Sequence, residues 1–196
     1  KNLNNKHALI AIDSPLIVPN QTGRREAEKV TGYLFRKYNA GAHPANRIRL
    51  SQWSGKIRGE DITSQIVSLG VTHSPYLTKY EQTRKVFEVY PHPSMVVLFN
   101  LEKILKYKAK PRRDYPLRYK EFQKFLELLS SLKNPSIILP QNITNSKINT
   151  LKARQLKDFE DKLDAIFCSY IAYYTWCHPD KCAVLGSMEQ GYILTP

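Results

Sequence analysis

Apolar and polar positions alternate along the chain in patterns that separate its elements. Residues 8–13, ALIAID, form a short continuous apolar run closed by an acid and by Ser14-Pro15. Such runs suit strands covered on both faces, so a buried strand is expected there. After a loop at 19–23, residues 24–38 have helical content, with Val30, Leu34 and Phe35 expected inward. Residues 39–58 lack a clear period and hold Gly41, His43, Pro44 and three arginines, which reads as a loop or insertion. Ile62, Ile66 and Leu69 recur at helical spacing and predict a helix over 57–69, stopped by Gly70. Residues 85–90, KVFEVY, have the β-branched and aromatic content of a strand. Pro91-His92-Pro93 ends it, and a helix is expected to start at Ser94.

Further on, Phe122, Phe125, Leu126 and Leu129 make an apolar stripe, which predicts an amphipathic helix over 116–132. Residues 134–152 are polar and read as irregular apart from the short run 137–139. Residues 157–177, KDFEDKLDAIFCSYIAYYTWC, are charged for the first third and apolar or aromatic thereafter. This reads as a helix entering a core. Short strands are expected at 183–185 and 192–194, around a loop with glycines at both ends.

Alternating strands and helices point to an α/β fold. The length suits a single domain over 1–196. Thirty Lys and Arg against seventeen Asp and Glu give a net charge of +13, which suggests a polyanion as partner, against a protein that is merely basic. The cations concentrate over 103–124, where Lys106, Lys108, Arg112 and Arg113 interleave with Tyr107, Tyr115 and Tyr119. That mixture suits a nucleic-acid backbone with base stacking; a solvated charged face is the alternative. No apolar run is long enough to span a bilayer, and the start lacks a signal-peptide pattern, so no membrane role is expected. The three cysteines lie near the C-terminus without a disulfide framework, which implies a reducing, cytoplasmic setting. Because residue 1 is Lys, the chain is read as a fragment, a processed form or the ordered part of a longer protein.

Candidate chemistry rests on carboxylates in apolar surroundings. Asp13 closes the first apolar run, at the kind of strand end where ligands gather in α/β sheets, or it starts the turn before Pro15. Glu88 has apolar neighbours on both sides in KVFEVY and needs a partner, a metal or an Arg. Asp161, Asp164 and Cys168 share a helix face at i, i+3 and i+7. Asp164 leads an apolar run, where an ionised carboxylate is costly without compensation. Asp158, Glu160 and Asp161 also fit solvated acids of a helix's first turn. Asp13, Glu88, Asp161 and Asp164 together would need a divalent cation to stay ionised in a dry site, and Mg²⁺ or Mn²⁺ suits carboxylate oxygen. Two such ions would activate water and stabilise the leaving oxygen of a phosphodiester.

ALIAIDSPL, TGRREAEKV, VFEVYPHPS, DKLDAIFCSYIAYY and the closing GYILTP, in that order along nearly the whole chain, resemble a domain-of-unknown-function family described as predicted RNase H-like nucleases. The resemblance implies an RNase H-like fold, with a mixed central sheet flanked by helices and acids that bind divalent metal. It implies metal-holding, catalytic roles for Asp13, Glu88, Asp161 and Asp164, and a phosphate-facing role for Arg24 or Arg25. Members of that family begin with antiparallel strands, the first bearing an Asp in a Gly-x-Asp-like setting. Nothing between Lys1 and the first apolar run matches, so those strands either precede Lys1 or have been lost.

The expectation is therefore a divalent-metal-dependent nuclease acting on DNA or RNA, with Arg24, Arg25, Lys106, Lys108, Arg112 and Arg113 positioning phosphates. A catalytically inactive nucleic-acid-binding module of the same fold is the alternative. Cys177 and Cys182 lack a second ligand pair nearby, which disfavours zinc. The absence of Gly-x-Gly-x-x-Gly and P-loop patterns disfavours nucleotide binding by a glycine-rich loop.

Overall fold

The computed structural model describes residues 7–196. Three parallel strands form its sheet: β1 (Ala8–Ile12), β2 (Thr72–His73) and β3 (Arg84–Glu88), in the order β1-β3-β2. β1 and β3 run in register from Ala8 opposite Arg84 to Ile12 opposite Glu88. Their carboxyl ends therefore lie side by side, which brings Asp13 and Glu88 to one edge of the sheet. An antiparallel hairpin, β4 (Ala183–Ser187) and β5 (Gly191–Thr195), joins β3 by a bridge from Val89 to Leu194. Among the described residues the antiparallel strand pair is thus this hairpin and not part of the central sheet, apart from an isolated antiparallel bridge between Lys133 and Ser136. The leading antiparallel strands that the resemblance implies would fall before Ala8, outside the described residues.

Helices cover this frame. α1 (Glu26–Phe35) packs on the β4–β5 hairpin. α2 (Arg47–Ser51) is a short helix inside the stretch expected to be irregular, started by Asn46, whose side chain accepts from the Arg49 N–H at 2.9 Å. α3 (Arg58–Ser68) stops at Gly70, whose φ of 78° is the left-handed conformation glycine adopts without strain. Two side chains expected inward are exposed instead: Leu34 at 43% and Leu69 at 71%. Both lie in the last turn of their helix pattern, where the chain turns away from the core.

α4 (Pro91–Leu98) begins three residues earlier than the sequence pattern suggested. Proline can occupy the first turn of a helix, where its missing N–H costs nothing, so the Pro-His-Pro segment that ends the strand also starts the helix. α5 (Tyr115–Ser131) is capped by the Asp114 side chain, which accepts from the Leu117 N–H at 3.0 Å. After a short α6 (Gln141–Thr144), α7 (Ala153–Cys177) lies against β1.

The main core forms where the apolar stripes of α5 and α7 face the sheet. Phe122, Phe125, Leu129, Leu163 and Phe167 are fully buried there. Phe125 meets Phe167 edge-on, with ring centroids 5.7 Å apart. Burying side chains of this size contributes roughly 2–3 kcal/mol each. Tyr192 of β5 is fully buried as well, and its hydroxyl accepts the Glu88 N–H at 3.1 Å and lies 2.9 Å from His73 Nε2. That single hydroxyl ties the hairpin to the ends of β2 and β3.

Candidate functional site

Two clusters of carboxylates form around the carboxyl ends of β1 and β3. The first centres on Glu88, which is 2% exposed. Its Oε1 accepts from Arg25 Nη2 at 2.6 Å, and its Oε2 accepts from Arg25 Nη1 and the Leu16 N–H, each at 2.9 Å. Arg25, 3% exposed, also donates from Nε and Nη2 to Glu28 Oε1 and from Nη1 to the Ile17 carbonyl. Glu28 returns a capping contact by accepting the Arg25 N–H at 2.8 Å, so α1 begins at this ion cluster. All five N–H donors of the guanidinium are thereby used. Burial works against the Arg25 cation, but the carboxylates of Glu88 and Glu28 outweigh it and hold the pKa above its ordinary value. Burial pushes the Glu88 carboxyl upward, with Arg25 and the Leu16 N–H opposing it.

Close packing fixes this cluster. A methyl group added at Gly191, which has a φ of 84°, would come within 2.6 Å of both Arg25 Cδ and the Ile17 carbonyl oxygen. Only glycine lets β5 pass this close to the guanidinium stem. The cluster fills one wall of a pocket of about 210 Å³ whose lining also includes Asp13, His43, Arg49 and Tyr90.

The second cluster is partly open to water: Asp13 and Asp161 are exposed, Asp164 is half-buried and Glu160 is buried. Asp13 follows β1 directly, faces solvent, and among the described residues neither accepts a side-chain hydrogen bond nor joins an ion pair. Although the residue as a whole is exposed, burial of its carboxyl against the surrounding chain pushes it up to about 6, against the pull of Lys108, with Asp164 adding to the rise. Asp164 reaches the same region from α7. Its Oδ1 accepts from the Tyr107 hydroxyl at 2.6 Å and its Oδ2 lies 2.8 Å from Lys108 Nζ. Cys168, one turn further along α7, is buried beside both acids, and burial with their charges pushes its thiol up.

Glu160 and Asp161 complete this group. One carboxylate oxygen from each of Glu160, Asp161 and Asp164 lies within 4.8 Å of the others, close enough to hold a metal ion. Ammonium and guanidinium groups neutralise these acids: Lys157 Nζ is 2.9 Å from Glu160 and 2.5 Å from Asp161, while Arg118 is 3.5 Å from Glu160. Lys157 is mostly exposed, and exposed ion pairs contribute little, so a divalent ion would compete with it at small cost while the buried Arg118 stays on Glu160. Carboxylate oxygens of this kind are donors for a hard divalent cation.

The structure thus groups Asp161 and Asp164 with Glu160, leaves Asp13 outside that group but within electrostatic reach of Asp164, and ties Glu88 to Arg25. Glu160, read from sequence as one of several first-turn acids, is buried and belongs to the cluster. α7 begins at Ala153, so these acids lie past its first turn. Arg25 has no donor left for a phosphate, in contrast to the expected role. Arg24 is exposed and lines a separate groove with Arg36, Asn39 and His43. Lys106 and Arg112 are exposed, and Arg113 is half-buried with Nη1 donating to the Lys108 carbonyl. Arg118, part of the basic run, is buried and donates to the Tyr107 carbonyl at 2.8 Å, so it supports the cluster from below. Among the described residues, no helix is long and apolar enough to cross a membrane.

A family described as "Protein of unknown function (DUF429)" matches residues 1–190, and the chain belongs to it. No curated protein and no solved structure matches the chain.

Proposed function

We propose that the chain is a divalent-metal-dependent phosphodiesterase acting on DNA or RNA, with an RNase H-like arrangement of acids. The observation that supports this reading most is the three-carboxylate group on α7, with Asp13, a carboxylate without a partner at a strand's carboxyl end, within electrostatic reach of its Asp164. Asp161, Asp164 and Glu160 would hold Mg²⁺ or Mn²⁺, with Asp13 as a further ligand. When bound, such an ion polarises a phosphodiester and lowers the pKa of water. Glu88 takes the part of a support, since its oxygens hold Arg25 and the turn at Leu16 in place beneath Asp13. Tyr107 and Lys108 orient the Asp164 carboxylate from opposite oxygens. Lys108, Lys106, Arg112 and Arg113 give the surrounding surface its attraction for a phosphate backbone, in keeping with the net charge of +13.

Incubation of labelled single-stranded DNA, double-stranded DNA and RNA with Mn²⁺ tests the proposal. Cleavage is expected for the native chain and its loss for Asp13→Asn and Asp164→Asn, both folded. Variants that cut like the native chain would overturn the site; absence of cleavage on all three substrates would overturn the activity.

A second reading has an observation of its own. Every acid of the α7 group already carries a Lys or Arg counter-charge, as expected of a nucleic-acid-binding module that has kept the fold without the chemistry. Salt-sensitive binding to nucleic acid without Mn²⁺ uptake would favour it.

A further inference from the structure

Residues 41–50 belong to the stretch without a period in the sequence, and the fold brings them to the carboxyl ends of β1 and β3. With Pro15 and Tyr90, which follow those strands, Ala42, Pro44 and Leu50 wall the pocket of about 210 Å³. Ligands gather in crevices at this end of parallel strands. The loop is tied down at three points. The Ala45 N–H donates to Glu28 Oε2 at 3.4 Å, the Ala45 carbonyl accepts from Asn20 Nδ2 at 3.0 Å, and Asn46 Nδ2 donates to the Gly23 carbonyl at 2.9 Å. The pocket is therefore preformed, as ligand sites generally are. Asp13, His43 and Arg49 are exposed and mark its mouth.

Charge decides what this pocket can take. Its floor is the knot of Arg25, Glu28 and Glu88; with Asp13 and Arg49 at the mouth, the lining carries three carboxylates against two guanidinium groups. Such a lining offers an anion no net attraction, whereas its apolar walls suit the faces of a neutral ring. The pocket is smaller than the roughly 300–1,000 Å³ that enclose a drug-sized ligand, so it has room for a single ring system. A second hollow lies beside it and shares Ala42 and His43 with it. Arg24, Arg36 and Asn39 line this one and no acid does; among the described residues neither arginine joins an ion pair. Guanidinium groups on one hollow without a carboxylate between them suit a phosphate. A place for a neutral ring and a place for an anion thus meet at His43.

We propose that these two hollows form a binding site for one unpaired nucleotide, its base in the pocket walled by residues 41–50 and its phosphate in the hollow of Arg24 and Arg36. That the nucleotide belongs to a nucleic-acid strand rests on the function proposed above; the nucleotide site itself does not. Asp13 lines the pocket, so a base held there keeps its strand against the open acids. A base of a duplex is paired and stacked and has to leave the helix to enter, so the site selects single strands or strand ends.

Calorimetric titration of the native chain in metal-free buffer with adenosine and uridine monophosphates, each as the 5′ and the 3′ ester, tests the site. At least one ester is expected to bind saturably, about tenfold more tightly than its nucleoside or inorganic phosphate. The Arg24→Ala/Arg36→Ala double variant, altered only at the surface, should lose that tenfold preference and bind the nucleoside as before. Leu50→Trp fills the pocket and should weaken ester and nucleoside alike in a chain whose unfolding curve matches the native one; if it does not fold, the double variant still decides. No saturable binding of any ester, or native affinity in the double variant, would overturn the proposal. Double-stranded DNA cut as fast as single-stranded DNA in Mn²⁺ would overturn it as well. Nucleotide binding without cleavage of any strand would count against the nuclease reading alone, and cleavage by a chain that binds no nucleotide against this site alone.

Discussion

The knot of Arg25, Glu28 and Glu88 and the open group around Asp13 and Asp164 are made of the same side-chain types, a few residues apart along the sheet edge, yet they are built to opposite ends. In the knot every guanidinium donor is used, both carboxylates are dry, and a glycine backbone closes the remaining space. In the open group one carboxylate has no partner, Asp161 is paired with an exposed lysine, and Asp164 and Glu160 are held by the partly covered Lys108 and the buried Arg118. A buried pair that is fully hydrogen-bonded fixes a structure, because removing either partner strands the other. Acids that include exposed members, one of them unpaired and one with an exposed lysine as counter-charge, can instead accept a new cation. Burial of an acid in an apolar strand therefore does not by itself mark it as catalytic.

The sharpest way to break the contrast is Arg25→Met. It strands Glu28 and Glu88 in the core and should lower stability by about 3–5 kcal/mol, read from urea unfolding. A loss below about 1 kcal/mol would mean that the knot is not what anchors α1 to the sheet.

Next in size is the pH response of Asp13. Its carboxyl is raised from the ordinary 3.8 to about 6, so the folded state holds this proton more tightly than the unfolded chain does. Its contribution to stability is fully present below about pH 4 and is lost as pH rises through about 6. In metal-free buffer, Asp13→Asn should match the native chain near pH 4 and be the more stable of the two above pH 6. Thermal melts at the two pH values check this, and a variant less stable above pH 6 would contradict the account.

The smallest effect belongs to Asp161→Ala. Its pair with Lys157 is solvent-exposed, so stability should change by about 0.5 kcal/mol or less while Mn²⁺ affinity falls. Unfolding curves and calorimetry on the same variant separate the two.

Much of the frame was legible from apolar period alone: β1, β3, α5, α7 and the closing hairpin all lie where continuous or helical patterns place them. α2 was hidden because its five residues, RIRLS, are too few to show a period, although Asn46 before them is an N-cap signal. The start of α4 was hidden by prolines that end one element and begin the next. At the site, Asp13 and Asp164 were visible as acids at the edges of apolar runs. The partner of Glu88 was not, since Arg25 lies 63 residues away and only the fold brings them together. Nor was Glu160, because a run of charges at a helix start gives no sign of which one turns inward.

Calorimetric titration of Mn²⁺ into the native chain and into Asp164→Asn tests the central claim most directly. Saturable binding by the native chain, lost in Asp164→Asn and kept in Glu28→Gln if that variant folds, is the predicted result. No binding by the native chain, or equal binding by Asp164→Asn, would contradict the assignment of the open carboxylates as the metal site.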